Sequence, residues 1–330
     1  MTDYLSKENT TCLKGVLAIC VFAHHLYQYS GIFRNGWQAY IGICFQALGY
    51  LSVAIFFFLS GYGLMKSYRK KPEAYPMFAR YKILPFYVID VLLVVVYGCL
   101  SMFLGRDVPI SLIVCSLTFG GTVVTAGWYI QVQLLYYWMF YLVFSGCKDK
   151  QWLYRMLFLH CVYVIVCGAL GLSSLYYERT FIFVLGMIWA EKQAIIDKWA
   201  QKGGYVIWGA SCILFLGSYF LSTVTAPVFF RGLSYFFLIP VTTFALCKIN
   251  IQNAVTRFLG SISLEIYVLQ GVYLNLFRSS AVIFEKHWLY IAAVITATIL
   301  SAFWVHPFFQ LIYNTCRKGK FCLSPTDGVP

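Results

Sequence analysis

Ten apolar runs, each of roughly 20 residues, make up most of this chain: about 12–30, 43–65, 82–104, 127–145, 153–171, 180–194, 204–222, 229–247, 258–278 and 288–313. Such a run is what a helix needs to cross about 30 Å of hydrocarbon at 1.5 Å per residue. Within a bilayer every backbone N–H and C=O must be satisfied by the protein itself, which restricts such runs to helices packed side by side. Charge content agrees, since only 11% of residues are charged and mean hydropathy is +0.73, against about 25% charged in soluble chains. The expected fold is all-α and polytopic, with about ten transmembrane helices. The stretch 108–122 is apolar but short and rich in Ser, Thr and Gly, so it reads as re-entrant or interfacial.

The net charge of +13 reads as membrane topology and headgroup contact, with no nucleic acid implied. With the N-terminus cytoplasmic, 19 of the 25 lysines and arginines fall in inside segments and 6 (Arg34, Arg106, Arg179, Arg231, Arg278, Lys286) in outside loops. That asymmetry follows the positive-inside rule and places both termini in the cytoplasm. Trp37, Trp128, Trp152 and Trp288 sit near span ends, as an interfacial aromatic belt requires. The twelve cysteines are scattered through apolar runs without a CxxC or zinc spacing, so neither a disulfide framework nor a metal is expected. The first apolar run has no small-residue cleavage site and is expected to stay as a helix. The chain divides into a membrane domain, 1–314, and a short cytoplasmic tail, 315–330.

One stripe stands out within this frame. Lys14 and His25 are 11 residues apart, which returns a helix to within about 20° of the starting face and separates them by about 16 Å along the axis. His24 points away, so it reads as a packing or hydrogen-bonding neighbour. An ionisable group half a bilayer deep is a functional candidate by default. Asp90 and Glu265 lie at a similar depth. Each would either orient His25, as an aspartate orients a catalytic base, or pair structurally with Lys82 or Arg257. His160 and His306 read as hydrogen-bonded core residues.

Four ordered stretches carry a resemblance to the acyltransferase 3 family, integral-membrane enzymes that O-acylate carbohydrates. KGVLAICVFAHH resembles that family's basic residue and histidine, with Lys14 and His25 in the two places. VAIFFFLSGYGLMKSY (53–68) is similar to its FFxLSGF helix, FARYKILPFY (78–87) to the basic pair before a proline, and GWYIQVQLLYYWMFYL (127–142) to its Trp-led helix. Weaker echoes follow in 181–192 and 258–270. The chain departs from the pattern in three places: Arg80-x-Lys82 replaces a wider basic pair, Gln133 stands where many members have Glu, and Gln270 where His is common.

The resemblance implies a multi-pass enzyme of a bacterial cytoplasmic membrane that moves an acyl group, with acetyl expected, from acyl-CoA to a hydroxyl of an exopolysaccharide, lipid-linked sugar or cell-wall glycan. It implies acetyl-CoA as donor and no metal. The lipid bilayer is its surrounding, and it either acts alone or hands the acyl group to a separate extracytoplasmic protein. Histidine, titrating near neutrality, suits removal of the hydroxyl proton, so His25 is either a general base or itself the acyl carrier. Donor phosphates need cations at the cytoplasmic mouth. Lys66, Arg69, Lys70, Lys71, Arg80 and Lys82 supply them with Lys14, and Lys14, Arg69, Arg80 and Lys82 are the donor-binding candidates. The Lys14–His25 separation is comparable to the pantetheine arm of CoA. Gln133, Gln270 and Asn275 either bind sugar or tie helices together, and Tyr137 and Trp128 complete the substrate-binding candidates. The rival reading is a proton-coupled transporter of a small polar solute, for which a midplane histidine and carboxylates would also serve; the internal repeats common in such carriers are not evident.

Overall fold

The structure is a computed structural model and describes residues 4–33, 36–145, 151–278 and 286–318. Arg34, Lys148, Lys150, Lys320 and most of the 315–330 tail, all used in the charge reading, lie outside the described residues. Every regular element is helical: α1 (Lys7–Ser30), α2 (Gln38–Lys70), α3 (Leu84–Phe103), α4 (Ile110–Leu117), α5 (Trp128–Ser145), α6 (Trp152–Ala169), α7 (Thr180–Val224), α8 (Pro227–Lys248), α9 (Ala254–Ser261), α10 (Ser263–Leu276) and α11 (His287–Lys318). Among the described residues, seven helices are long and apolar enough to cross a membrane: α1, α2, α3 with the turn before it, α6, the second part of α7, α8 and α11.

The ten expected runs all coincide with helix, but four differ from simple spans. Runs 180–194 and 204–222 fall in one 45-residue helical element, α7, whose backbone leaves helical geometry at Gly203 (φ −142°, ψ 26°). Run 258–278 is divided at Ile262 into α9 and the 14-residue α10. At 1.5 Å per residue α10 is about 21 Å long, short of a full hydrocarbon core. Run 127–145 is α5, whose Gln131, Gln133 and Tyr136 are buried among other helices. A helix enclosed in this way has less need of the uniformly apolar face that lipid demands, and its hydropathy is diluted.

The doubtful stretch 108–122 resolves into the eight-residue α4 followed by an irregular segment. Gln131 of α5 holds it there, donating from Nε2 to the carbonyls of Cys115 (2.7 Å) and Gly121 (2.8 Å). Tyr176 O–H in turn donates to Gln131 Oε1 (3.1 Å). A non-helical backbone is tolerated at membrane depth only when protein supplies its missing partners, and one buried glutamine supplies two of them here.

Close helix crossings lock the bundle. A Cβ on Gly61 of α2 would strike the carbonyl of Phe183, and one on Gly186 of α7 would strike the carbonyl of Phe58, so the two backbones touch reciprocally. Gly15 of α1 and Gly260 of α9 meet in the same fashion, against Thr256 O and Thr11 O. Small residues of this kind let helices associate where lipid offers no hydrophobic drive. Gly186→Val is expected to cost at least the about 1–3 kcal/mol of overpacking, read as a lower thermal midpoint in detergent. An unchanged midpoint would mean that α2 and α7 have room to separate.

Candidate functional site

The site begins at the start of α1, where Ser6 caps the helix by accepting from the N–H of Asn9 (3.2 Å). Spacings of three and four residues then set Lys7, Thr10, Lys14 and Ala18 on one face, and all four line a cavity of about 900 Å³. The opposite wall comes from α5, where Tyr129, Gln133 and Tyr137 share a face at four-residue intervals. Gln131, on the other side of that helix, is spent on α4. From α2 come Phe56, Ser60, Lys66 and Lys70, and from α11 Tyr313 and Arg317.

Lys82 reaches the cavity through an unusual turn. Residues Ala79–Ile83 form a π-helical turn, closed by the Leu84 N–H on the Ala79 carbonyl, directly before Pro85 in the first turn of α3. Two positions apart on this turn, the cations of Arg80-x-Lys82 face different ways: Lys82 lines the cavity, whereas Arg80 Nε donates to the Cys316 carbonyl at 2.8 Å. A cation at a helix C-terminus is favourable against the helix dipole, so Arg80 tethers α11. Arg69 is likewise engaged elsewhere, in an ion pair with Glu191.

Among the described residues, six cations therefore line one chamber (Lys7, Lys14, Lys66, Lys70, Lys82 and Arg317), and no aspartate or glutamate does. Lys66 and Lys70 belonged to the basic cluster read from the sequence. Lys7 and Arg317 looked like topology signals alone; their place on the wall follows from the fold, which brings the start of α1 and the end of α11 together.

The histidine pair lies deeper. Ala18 is the last α1 residue on the cavity wall, and His25 follows two turns later on the same face, about 10 Å further along the axis. His25 is half-buried, its Nδ1 lacks a partner, and its ring stands edge-on to His24 at 5.0 Å. His24 is buried, with Nδ1 3.2 Å from the Phe45 carbonyl, which is the packing role expected of it. Phe56, Tyr129 and Tyr267 form an aromatic wall of the chamber, the rings of Phe56 and Tyr267 each meeting that of Tyr129.

The remaining candidates are dispersed. Glu265 is bonded to His306, Oε1 to Nδ1, at 2.7 Å, so the histidine it orients is on α11 and not on α1. Arg257, its other expected partner, pairs with Glu8. Asp90 is buried on the Phe86–Leu93 face of α3, and among the described residues no salt bridge reaches it. Gln133 donates from Nε2 to Ser60 Oγ (2.9 Å) on the cavity wall and leaves a buried Oε1 without a partner. Gln270 donates to the Tyr267 carbonyl (3.0 Å) and also has an unpartnered Oε1. Asn275 bridges to Thr125 Oγ1 (3.0 Å), tying helix to loop. Trp128 faces a different cluster.

That cluster was not visible in the sequence. Arg179 is 1% exposed and its guanidinium lies over the rings of Tyr50, Trp128 and Tyr235 at 5.4, 5.5 and 4.7 Å. Its Nη1 is 2.7 Å from Glu178 Oε1, and Arg231 approaches the other carboxylate oxygen at 3.4 Å. Tyr235 O–H donates to Glu178 at 3.1 Å. The only signal was a Glu-Arg pair between two apolar runs, which reads equally as a loop charge. Removing one partner of a buried ion pair costs about 3–5 kcal/mol. Glu178→Ala is therefore expected to lower the folded yield sharply, with Glu178→Gln milder. Equal yields for wild type and Glu178→Ala would show that the cluster is not structural.

A family model described as an acyltransferase domain matches residues 9–306, spanning Lys14, His25, Lys82, Gln133 and the aromatic wall. No curated protein and no solved structure matches the chain.

Proposed function

We propose, from the premise that this chain belongs to the acyltransferase 3 family, that it moves an acyl group from acyl-CoA to a hydroxyl of a cell-surface or precursor carbohydrate. Membership and the apolar helices make it a multi-pass membrane acyltransferase; the donor, the acceptor and the role of each residue are our reading. One observation carries that reading: a chamber of about 900 Å³ lined, among the described residues, by six cations and no carboxylate. Its size lies in the range of small-molecule sites, and its charge calls for a polyanion. The 3′-phosphate and diphosphate of CoA meet that demand.

Counted with ten crossings, the cation-lined end of the chamber lies on the cytosolic side, because the basic segments cluster there. The nucleotide stays at Lys14, Lys82 and Arg317 while the pantetheine arm runs along α1 toward the aromatic wall. Supporting His25 as the proton acceptor are its place on the Lys14 face and an Nδ1 that nothing else occupies. In direct transfer, the acceptor oxygen attacks the thioester carbonyl as His25 takes its proton, and CoA leaves as the thiolate. If the imidazole attacks first, it carries the acyl group and passes it on. Gln133 Oε1 and Tyr137 are wall groups able to hold the pantetheine amides.

The test is labelled acetyl-CoA supplied to vesicles containing the protein and a native glycan fraction. Label entering glycan with release of CoA supports the reading. No CoA consumption with acceptor present overturns it and returns the proton-coupled carrier to first place.

A further inference from the structure

The chamber is polarised along its axis. Its cations come from the outer turns of its helices, while the deepest lining residue of each of four helices is apolar or aromatic: Ala18 of α1, Val53 of α2, Tyr129 of α5 and Tyr267 of α10. Phe56, one turn from Val53, completes this end. The two tyrosines are fixed. Tyr267 O–H donates to the Ala126 carbonyl at 2.7 Å and its ring meets Tyr129 at 5.1 Å, and Tyr129 is backed by Phe57 at 5.0 Å. Phe56 is half-buried, and its ring centre lies 6.3 Å from that of Tyr129. Among the wall rings it carries no hydrogen-bonding group, and the smallest side chain lining the same chamber is Ala18.

We infer that Phe56, set beside Tyr129 and Tyr267 at the deep end that Ala18 also lines, determines which acyl groups the enzyme transfers, closing that end of the donor chamber so that only short-chain acyl-CoA is accepted. This rests on the reading of the chamber as an acyl-CoA site. An acyl group arriving behind a pantetheine arm meets the wall end-on. Two carbons fit in front of it, and each further methylene must displace an aromatic ring. A single methylene in a hydrophobic pocket is worth about 10–200-fold in discrimination, so a few carbons suffice for a sharp cut-off.

The experiment compares acetyl-, butyryl-, hexanoyl- and octanoyl-CoA as donors for the full chain in vesicles, as ratios of kcat/KM to the acetyl value. The wild type is expected to fall steeply after acetyl. Phe56→Ala is expected to raise the hexanoyl-to-acetyl ratio by about tenfold or more, and Ala18→Val, adding bulk at the same end, to lower the butyryl-to-acetyl ratio. Opposite shifts from the two variants cannot come from a general loss of folding. If both variants scale every donor by a common factor, or if the wild type takes octanoyl-CoA as well as acetyl-CoA, the inference is overturned while the acyl-CoA reading stands. If the wild type neither consumes nor binds any CoA thioester, the underlying reading falls and this inference with it.

Discussion

Vesicles carrying His25→Ala are expected to lose acyl transfer by about 10²–10⁴-fold, the range a positioned general base contributes. The protein should remain folded, because His25 Nδ1 makes no hydrogen bond that the alanine would leave broken. This contrasts with His24, whose ring meets the Phe45 carbonyl and would collide with any Cβ placed at Gly49. His24→Ala should therefore lower the thermal midpoint more than His25→Ala, and His25→Ala should lower the rate more. Label distribution separates the two chemical routes. With His25 as base, no labelled protein accumulates in the wild type when acceptor is withheld; with His25 as carrier, a labile acyl-protein forms and is absent from the variant. Transfer by His25→Ala within about twofold of wild type would remove His25 from the reaction.

The second large effect concerns the donor. Lys14→Met and Lys82→Met keep the length of the side chains and remove their charges from the chamber wall. Each is expected to raise KM for acetyl-CoA by about 30-fold or more, since losing one partner of a desolvated charge pair costs at least about 2 kcal/mol. kcat should change much less, because the phosphates are held alike in ground and transition states. The double variant should fall short of the product of the two, as neighbours facing one ligand couple. Arg69→Met is the comparison: its guanidinium pairs with Glu191, outside the chamber, and KM should stay within about twofold. A KM that moves with Arg69 and ignores Lys14 and Lys82 would mean that the donor enters elsewhere.

The reach of sequence reasoning follows from what each feature depends on. Apolar runs mark helices because bilayer physics allows little else, and all ten runs proved helical. Lys14 reached the chamber because the 3.6-residue repeat alone puts it on the face of Lys7, Thr10 and Ala18. Arg80 and Lys82 were both read as donor cations, and two positions apart they face different ways; which of them would meet the chamber and which the end of α11 is decided by packing. Glu265 shows the limit. Depth along a helix is legible, but which neighbour stands at that depth is decided by packing, and α11 with His306 stands closer to it than α1. Arg179 shows it again: a cation between apolar runs looks like a loop charge until folding surrounds it with Tyr50, Trp128 and Tyr235. Gln131 and Gln133, two positions apart, serve opposite purposes because they lie on opposite sides of α5.

An unneutralised chamber has a thermodynamic consequence of its own. Six like charges gathered around one space repel each other, and among the described residues no acidic side chain on the wall offsets that repulsion. The folded state is therefore electrostatically incomplete until an anion enters, and whatever enters favours folded over unfolded chain by mass action, about 2.7 kcal/mol at a hundredfold excess over Kd. On the acyl-CoA reading proposed above, stability and donor supply become linked quantities, and added acetyl-CoA is expected to raise the thermal midpoint of the protein in detergent.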